Sequence, residues 1–392
     1  METKKALPIL FAVMFFVMVG FGIIIPVLPF YAEDLGASPT ELGLLMAVYS
    51  VMQLLFAPMW GRISDRIGRK PVIMLGILGL SFSFFFMALS TQLWMLFAAR
   101  IIGGFLSSAN MPTVMAYVAD ITSEDDRGKG MGIIGASVGL GFIFGPAIGG
   151  VFSKMSLNMP FYLAGTSSLL TFFFVWFVLK ESIDVNSHDA KSQQRPSLRQ
   201  ALKGTVSFLF ILQLFVSLSL SGLEATFAYF AAESAGLGTT ELGYIFMIMG
   251  LAGAIVQGGL VGRLTKRFGE GSVIQGGIWI SALGFFLILY VDSFLTAAVF
   301  LTVFGIGNGV IRPSVSSLLT KKSQSGHGST TGLLSSFDSL GRVIGPPLGG
   351  VLYSVTIGLP YISGILLSVV AFLLYRVYAA KQLNSAAAVQ DS

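Results

Sequence analysis

The chain has 392 residues, 54% of them hydrophobic and only 11% charged, with a formal net charge of +5 and a mean hydropathy of +0.81. Soluble globular proteins carry roughly 25% charged residues, so this chain cannot cover a water-exposed surface, and lipid must be its solvent. There is no cysteine, which excludes disulfides and thiol chemistry, and His188 and His327 both fall in expected loops, so no metal site and no cofactor are expected.

A helix needs about 20 mainly apolar residues to cross the hydrocarbon core. In chain order, twelve stretches meet that length: 7–30, 40–60, 72–90, 92–117, 130–152, 159–179, 205–232, 241–261, 271–290, 294–319, 329–353 and 357–376. The first is too long for a signal peptide and lacks a small-residue cleavage site. Most connections are short, so neighbouring helices should be antiparallel. Lys and Arg accumulate on the cytoplasmic side of membrane proteins. With the N-terminus inside, the cytoplasmic segments collect 20 of the 24 basic residues, the outer loops hold only Lys154, and Arg100, Arg312 and Arg342 lie within spans. Basic residues confined between apolar stretches argue for a membrane and against nucleic acid. The expectation is a multi-pass protein of the bacterial cytoplasmic (inner) membrane with both termini cytoplasmic. The longest polar stretch, Glu181 to Gly204, divides the spans six and six. The expected organisation is therefore an N-terminal six-helix bundle over 1–180, a cytoplasmic linker over 181–204, and a C-terminal bundle with a short tail over 205–392.

The two halves match at an offset of about 200 residues. Glu41-Leu42-Gly43 recurs as Glu241-Leu242-Gly243, and Gly61-Arg62 as Gly262-Arg263 before a basic loop carrying Gly68 or Gly269. Gly145-Pro146-Ala147-Ile148-Gly149-Gly150 recurs as Gly345-Pro346-Pro347-Leu348-Gly349-Gly350. Parallel six-helix repeats suit a carrier that alternates access by moving one repeat against the other.

The loop from Gly61 to Lys70, reading Gly-Arg-Ile-Ser-Asp-Arg-Ile-Gly-Arg-Lys, resembles the cytoplasmic loop motif of the major facilitator superfamily. Leu96 to Gly104, with Arg100 and Gly103, resembles that superfamily's fourth-helix motif. Gly139 to Gly150 is similar to the fifth-helix motif of its proton-coupled drug antiporters. Ile25-Pro26-Val27-Leu28-Pro29, Ala119-Asp120-Ile121, Glu224 and Ile311-Arg312-Pro313 resemble most the NorA/Bmr-type multidrug efflux pumps. The resemblance implies an all-α membrane protein of the major facilitator fold, with twelve transmembrane helices in two pseudo-symmetric six-helix bundles. It also implies conformational gating by Gly61, Asp65, Arg66, Gly68, Arg69 and Asp120, acting as a latch at the inner surface. Asp65 can pair locally or face a helix N-terminus. In the fifth helix, Gly145, Gly149 and Gly150 admit a close neighbour and Pro146 allows a kink.

A charge at the bilayer centre costs roughly 2.5–3.5 kcal/mol on insertion scales, so five residues become candidates for proton coupling: Glu224, Asp338, Arg312, Arg342 and Arg100. Glu224 has no basic residue near it in sequence and suits a group that exchanges a proton for a cationic substrate. Asp338 and Arg342 lie four apart on one helix face, with Arg312 at a similar depth, so a structural ion pair and a coupling role both stand open. NorA/Bmr-type pumps generally carry a second acid three residues before the Arg-Pro pair, where this chain has Gly309, and Asp338 is a conceivable replacement. The substrate-binding candidates are Glu224 with Tyr49, Gln53 and Phe142, which match cavity positions of the relatives, and Phe227 and Tyr229, which follow Glu224 in its helix. The function expected is a proton-coupled exporter of amphipathic or cationic compounds acting as a monomer, with small molecules and protons as partners and no enzymatic activity. The alternative is a facilitator-type carrier of a specific metabolite such as a sugar, an amino acid or a lipid-like compound.

Overall fold

The computed structural model describes residues 3–183, 207–322 and 327–390, and every regular element among them is helical. Most of the expected linker (184–204, including His188) lies outside the described residues, as does the side chain of His327. The spans take the form Thr3–Asp34, Pro39–Ile67, Arg69–Ala88, then Leu93–Ser107 with Asn110–Ile121 as a broken fourth, Glu124–Phe152 and Met159–Val178. The second series runs Ser207–Ala235, then Thr239–Ile255 continued by Val256–Leu260 and Val261–Ile288, then Phe294–Lys322, His327–Val355 and Leu359–Gln390.

Ten helical stretches among the described residues are long and apolar enough to cross a membrane. One of them, Thr239–Ile288, contains two legs that meet at Gly269, whose φ of 77° breaks the helix. It therefore supplies the eighth and ninth spans. His327–Val355 has the length, but Asp338, Arg342 and two internal prolines make it more polar, and it stands outside the ten. With these two adjustments the helices are consistent with twelve spans.

The chain forms two compact units, Met1–Ser192 with Leu237–Met247, and Gln193–Gly236 with Ile248–Ser392. This division departs from the expected halves at Leu237–Met247, the start of the eighth span, which packs in the first unit. There the Thr240 hydroxyl donates to the Gly150 carbonyl over 2.8 Å. A side chain on Gly150 would meet the Thr239 carbonyl at 2.6 Å, so glycine is what permits this approach.

The internal repeat has structural counterparts in each half of the sequence. Ser38 and Glu41 form a capping box at the start of the second span: the Ser38 amide donates to Glu41 over 2.8 Å, and the Glu41 amide to the Ser38 hydroxyl over 3.3 Å. At the matching place Glu241 accepts from the Gly238 amide at 3.1 Å. Gly68 and Gly269, with φ of 104° and 77°, turn the chain at corresponding points. Gly141, Gly145 and Gly149 lie against Met18, Gly22 and Ile23 of the first span. Gly341, Gly345 and Gly349 lie in the same way against Ser217, Leu218 and Gly222 of the seventh. In lipid, where apolar side chains gain little by meeting one another, such glycine faces let backbones approach closely.

Candidate functional site

Three helices of the second unit present polar residues to one another. On Ser207–Ala235, Gln213, Ser217 and Glu224 are spaced four and seven apart, so helical periodicity puts them on one face. Asp338 and Arg342 lie one turn apart on His327–Val355, and Arg312 comes from Phe294–Lys322. Asp338 is the hub. Its Oδ2 meets Arg312 Nη2 at 3.3 Å and Arg342 Nε at 3.6 Å. Its Oδ1 accepts from the Ser217 hydroxyl and from Gln213 Nε2, the latter at 3.1 Å. The Gln213 amide also donates to the Ser217 hydroxyl over 3.1 Å, tying the two donors together. The Asp338 side chain is 13% exposed, against 54% for Arg312, so the carboxylate is enclosed while one guanidinium stays open.

Glu224 is half-buried and makes no hydrogen bond or ion pair among the described residues. The cluster thus contains one carboxylate held by four donors and one held by none. Gly309 lies three residues before Arg312 on the same helix and leaves that position without a side chain. Phe227 is fully buried and Tyr229 nearly so, with the Tyr229 ring 6.1 Å from that of Tyr353, which places both rings in the packing of the unit.

In the first unit, Tyr49, Gln53 and Arg100 come together. The Arg100 guanidinium stacks over the Tyr49 ring at 4.5 Å, a cation–π geometry, and has no carboxylate partner among the described residues. The Tyr49 hydroxyl is hydrogen-bonded to Ser107 and accepts from Gln53 Nε2 at 3.2 Å. Phe142, on Glu124–Phe152, has 37% of its surface exposed. Ser107 has no marker in the sequence, since a lone serine in an apolar helix is commonplace.

The loop between the second and third spans folds around Arg69. Its guanidinium pairs with Asp65 at 2.5 Å and with Asp120 at 3.0 Å, and donates to the Ser64 hydroxyl over 2.6 Å. Asp65 therefore pairs locally. The carboxylate at the N-terminus of the third helix is Glu181, which accepts from the Arg69 amide at 2.8 Å and the Lys70 amide at 3.0 Å. Ser182 donates to Asp120 over 2.9 Å, so the end of the sixth span is fastened to the same loop. Gly68 has φ of 104°, and a side chain there would strike Glu181. Gly61 is 3.9 Å from Pro112 by the same measure, and Arg66 is exposed outside the network. Glu181 escaped the sequence reading because it looked like the first residue of a polar linker. Its position directly after the last apolar turn was the one available sign.

Residues 10–324, and again 209–390, match the family model described as Major Facilitator Superfamily. The chain belongs to the Major Facilitator Superfamily. Among curated relatives, this facilitator-superfamily chain is 31% identical over 392 residues to "Multidrug resistance protein 2" of Bacillus subtilis, covering 98% of both chains. It is 30% identical over 382 residues to "Quinolone resistance protein NorA" of Staphylococcus aureus, covering 96% of this chain and 98% of the relative. Among solved structures, a mutant form of the nucleoside transporter NupG superposes with a TM-score of 0.82 at 15% identity, over 95% of this chain and 99% of that one. The human organic anion transporter MFSD10 gives 0.70 at 22% identity, over 96% and 100%. Those two likenesses concern the fold. The facilitator-superfamily chain is accordingly a multi-pass membrane protein of a family whose members carry small molecules.

Proposed function

We propose that the chain is a proton-coupled multidrug exporter of amphipathic, including cationic, compounds, working by alternating access as a monomer with both termini in the cytoplasm. The observation that carries this reading is the contrast between the two carboxylates of the second unit. Asp338 is surrounded by four donors, whereas Glu224 has none among the described residues and is placed to take a proton or the cationic group of a substrate in turn. Competition between proton and substrate for one carboxylate is the least that antiport requires. The full-length relatives named for multidrug and quinolone resistance support the substrate class. The loop built on Arg69 acts as the gating latch, Arg100 and Tyr49 form part of the substrate wall, and no enzymatic step is involved.

One proton entering down 100 mV releases about 2.3 kcal/mol, and a unit of pH adds about 1.4 kcal/mol. Together these sustain a neutral-substrate gradient of a few hundredfold. A monovalent cation exchanged for a single proton moves no net charge, so its export draws on the pH difference alone. With Asp338 engaged by Arg312 and Arg342 and Glu224 left to exchange the proton, that electroneutral case is the expected one. The test is ethidium accumulation in energised inverted vesicles, comparing the wild type with Glu224→Gln while the pH gradient is collapsed and restored. Gradient-dependent uptake by the wild type alone is expected. Full gradient-driven transport by Glu224→Gln would remove Glu224 from the coupling step, and movement of no dye by the wild type would point to a specific metabolite carrier.

A further inference from the structure

The eighth span is not a regular α-helix throughout. Val256–Leu260 is a π-helical turn set between Thr239–Ile255 and Val261–Ile288. Such turns hold an extra residue, cost helix regularity and occur often at functional sites. The next residues, Gly258 and Gly259, admit no neighbouring helix among the described residues: a side chain on either would meet nothing there within 4 Å. Packing therefore does not account for the irregularity.

What the π-turn does place is Gln257. A side chain built on Gly309 would come to 3.3 Å from Gln257 Nε2, and among the described residues outside its own helix Gln257 is the one it would meet within 4 Å. Gly309 and Arg312 are three apart, on the same face of their helix, so the Gln257 amide comes up to the face that carries the Arg312–Asp338 pair. The amide is exposed and makes no hydrogen bond among the described residues. It lies six residues, about 9 Å of helix, inside Arg263, the first inner charge of its span. An amide at that depth without a partner is costly in lipid, so it belongs where water or a ligand completes its hydrogen bonds.

We infer that Gln257, held beside the empty face of Gly309 by the π-helical turn, is a substrate-selecting residue that hydrogen-bonds an uncharged polar group of the compound being carried. The site takes amphipaths bearing an aryl amine, hydroxyl, carbonyl or amide, with Gln257 Oε1 accepting or Nε2 donating. It gives no advantage to compounds without such groups. This inference rests on the exporter reading above.

The experiment uses two monocations of unlike chemistry. Ethidium carries two aryl amines that can donate, and tetraphenylphosphonium has no hydrogen-bonding group. Uptake of each into energised inverted vesicles is measured for the wild type, Gln257→Leu and Gly309→Ala, after checking that each variant is monodisperse in detergent. The leucine removes the amide, and the alanine methyl pushes it aside by a few tenths of an ångström. Because a single net hydrogen bond is at stake, KM for ethidium should rise about fivefold in Gln257→Leu and in the same direction by less in Gly309→Ala, while tetraphenylphosphonium transport stays as in the wild type. An equal loss for both probes, or an unchanged KM for ethidium, overturns the role of Gln257 and leaves the exporter reading standing. A wild type that moves neither probe overturns both.

Discussion

Glu224 and Asp338 are the two acids deep within the spans of the second unit, and their surroundings assign them different work. Two guanidiniums and two neutral donors converge on Asp338. Removing its charge strands Arg342 and Arg312 without their shared anion. Breaking a fully buried pair by removing one partner costs about 3–5 kcal/mol, and the 54% exposure of Arg312 reduces that here to about 2 kcal/mol. Asp338→Asn should therefore lower the thermal midpoint of the purified protein in detergent, whereas Glu224→Gln should leave it unchanged. Equal midpoints for Asp338→Asn and the wild type would show that Asp338 is not a structural hub. Sequence spacing alone made the Asp338–Arg342 pair legible. It gave no sign of Gln213 or Ser217, because an amide and a hydroxyl gain importance only through the carboxylate brought to them from another helix.

At the scale of the element, glycine sorts into two kinds that look alike in sequence. Gly345 faces the seventh span so closely that a Cβ would lie 2.5 Å from the Leu218 carbonyl, while a Cβ on Gly128 would meet nothing within 4 Å among the described residues. Gly345→Val should push the eleventh helix off the seventh and sharply reduce the yield of folded protein. Gly128→Ala should be neutral or slightly stabilising, since alanine favours helix by up to about 1 kcal/mol. Size-exclusion profiles of the two variants expressed side by side check this, and similar profiles would count against the close approach. The recurrence of the Gly-Pro motif at an offset of 200 marked both glycine faces in advance. The broken fourth helix at Ser108–Ala109 and the π-turn at Val256–Leu260 carried no comparable signal. In both places polar and small residues interrupt the apolar run, Ser107-Ser108-Ala109-Asn110 with Pro112 in one and Gln257-Gly258-Gly259 in the other, but such residues are also tolerated inside unbroken membrane helices.

At the scale of the whole molecule, the distribution of Lys and Arg predicts which loops face the cytoplasm. The natural absence of cysteine makes the test direct. Asn158→Cys, between the fifth and sixth spans, should react with a membrane-impermeant maleimide in intact cells. Gly128→Cys, near Arg127 and Lys129, should react only after permeabilisation. The reverse pattern would invert the topology and with it the direction assigned to transport.

The sequence by itself determined the solvent, the repeat and the family, because each is written in local composition and periodicity along the chain. It also singled out Glu224, since a lone acid in a mainly apolar helix is conspicuous without any neighbour. The tertiary structure alone decided which acid is held and which has no partner among the described residues, that Glu181 rather than Asp65 sits on the third helix's N-terminus, and that Gln257 stands beside Gly309. Those facts depend on which residues from distant parts of the chain come within about 3 Å of one another, and hydrogen bonds and ion pairs are made at that range.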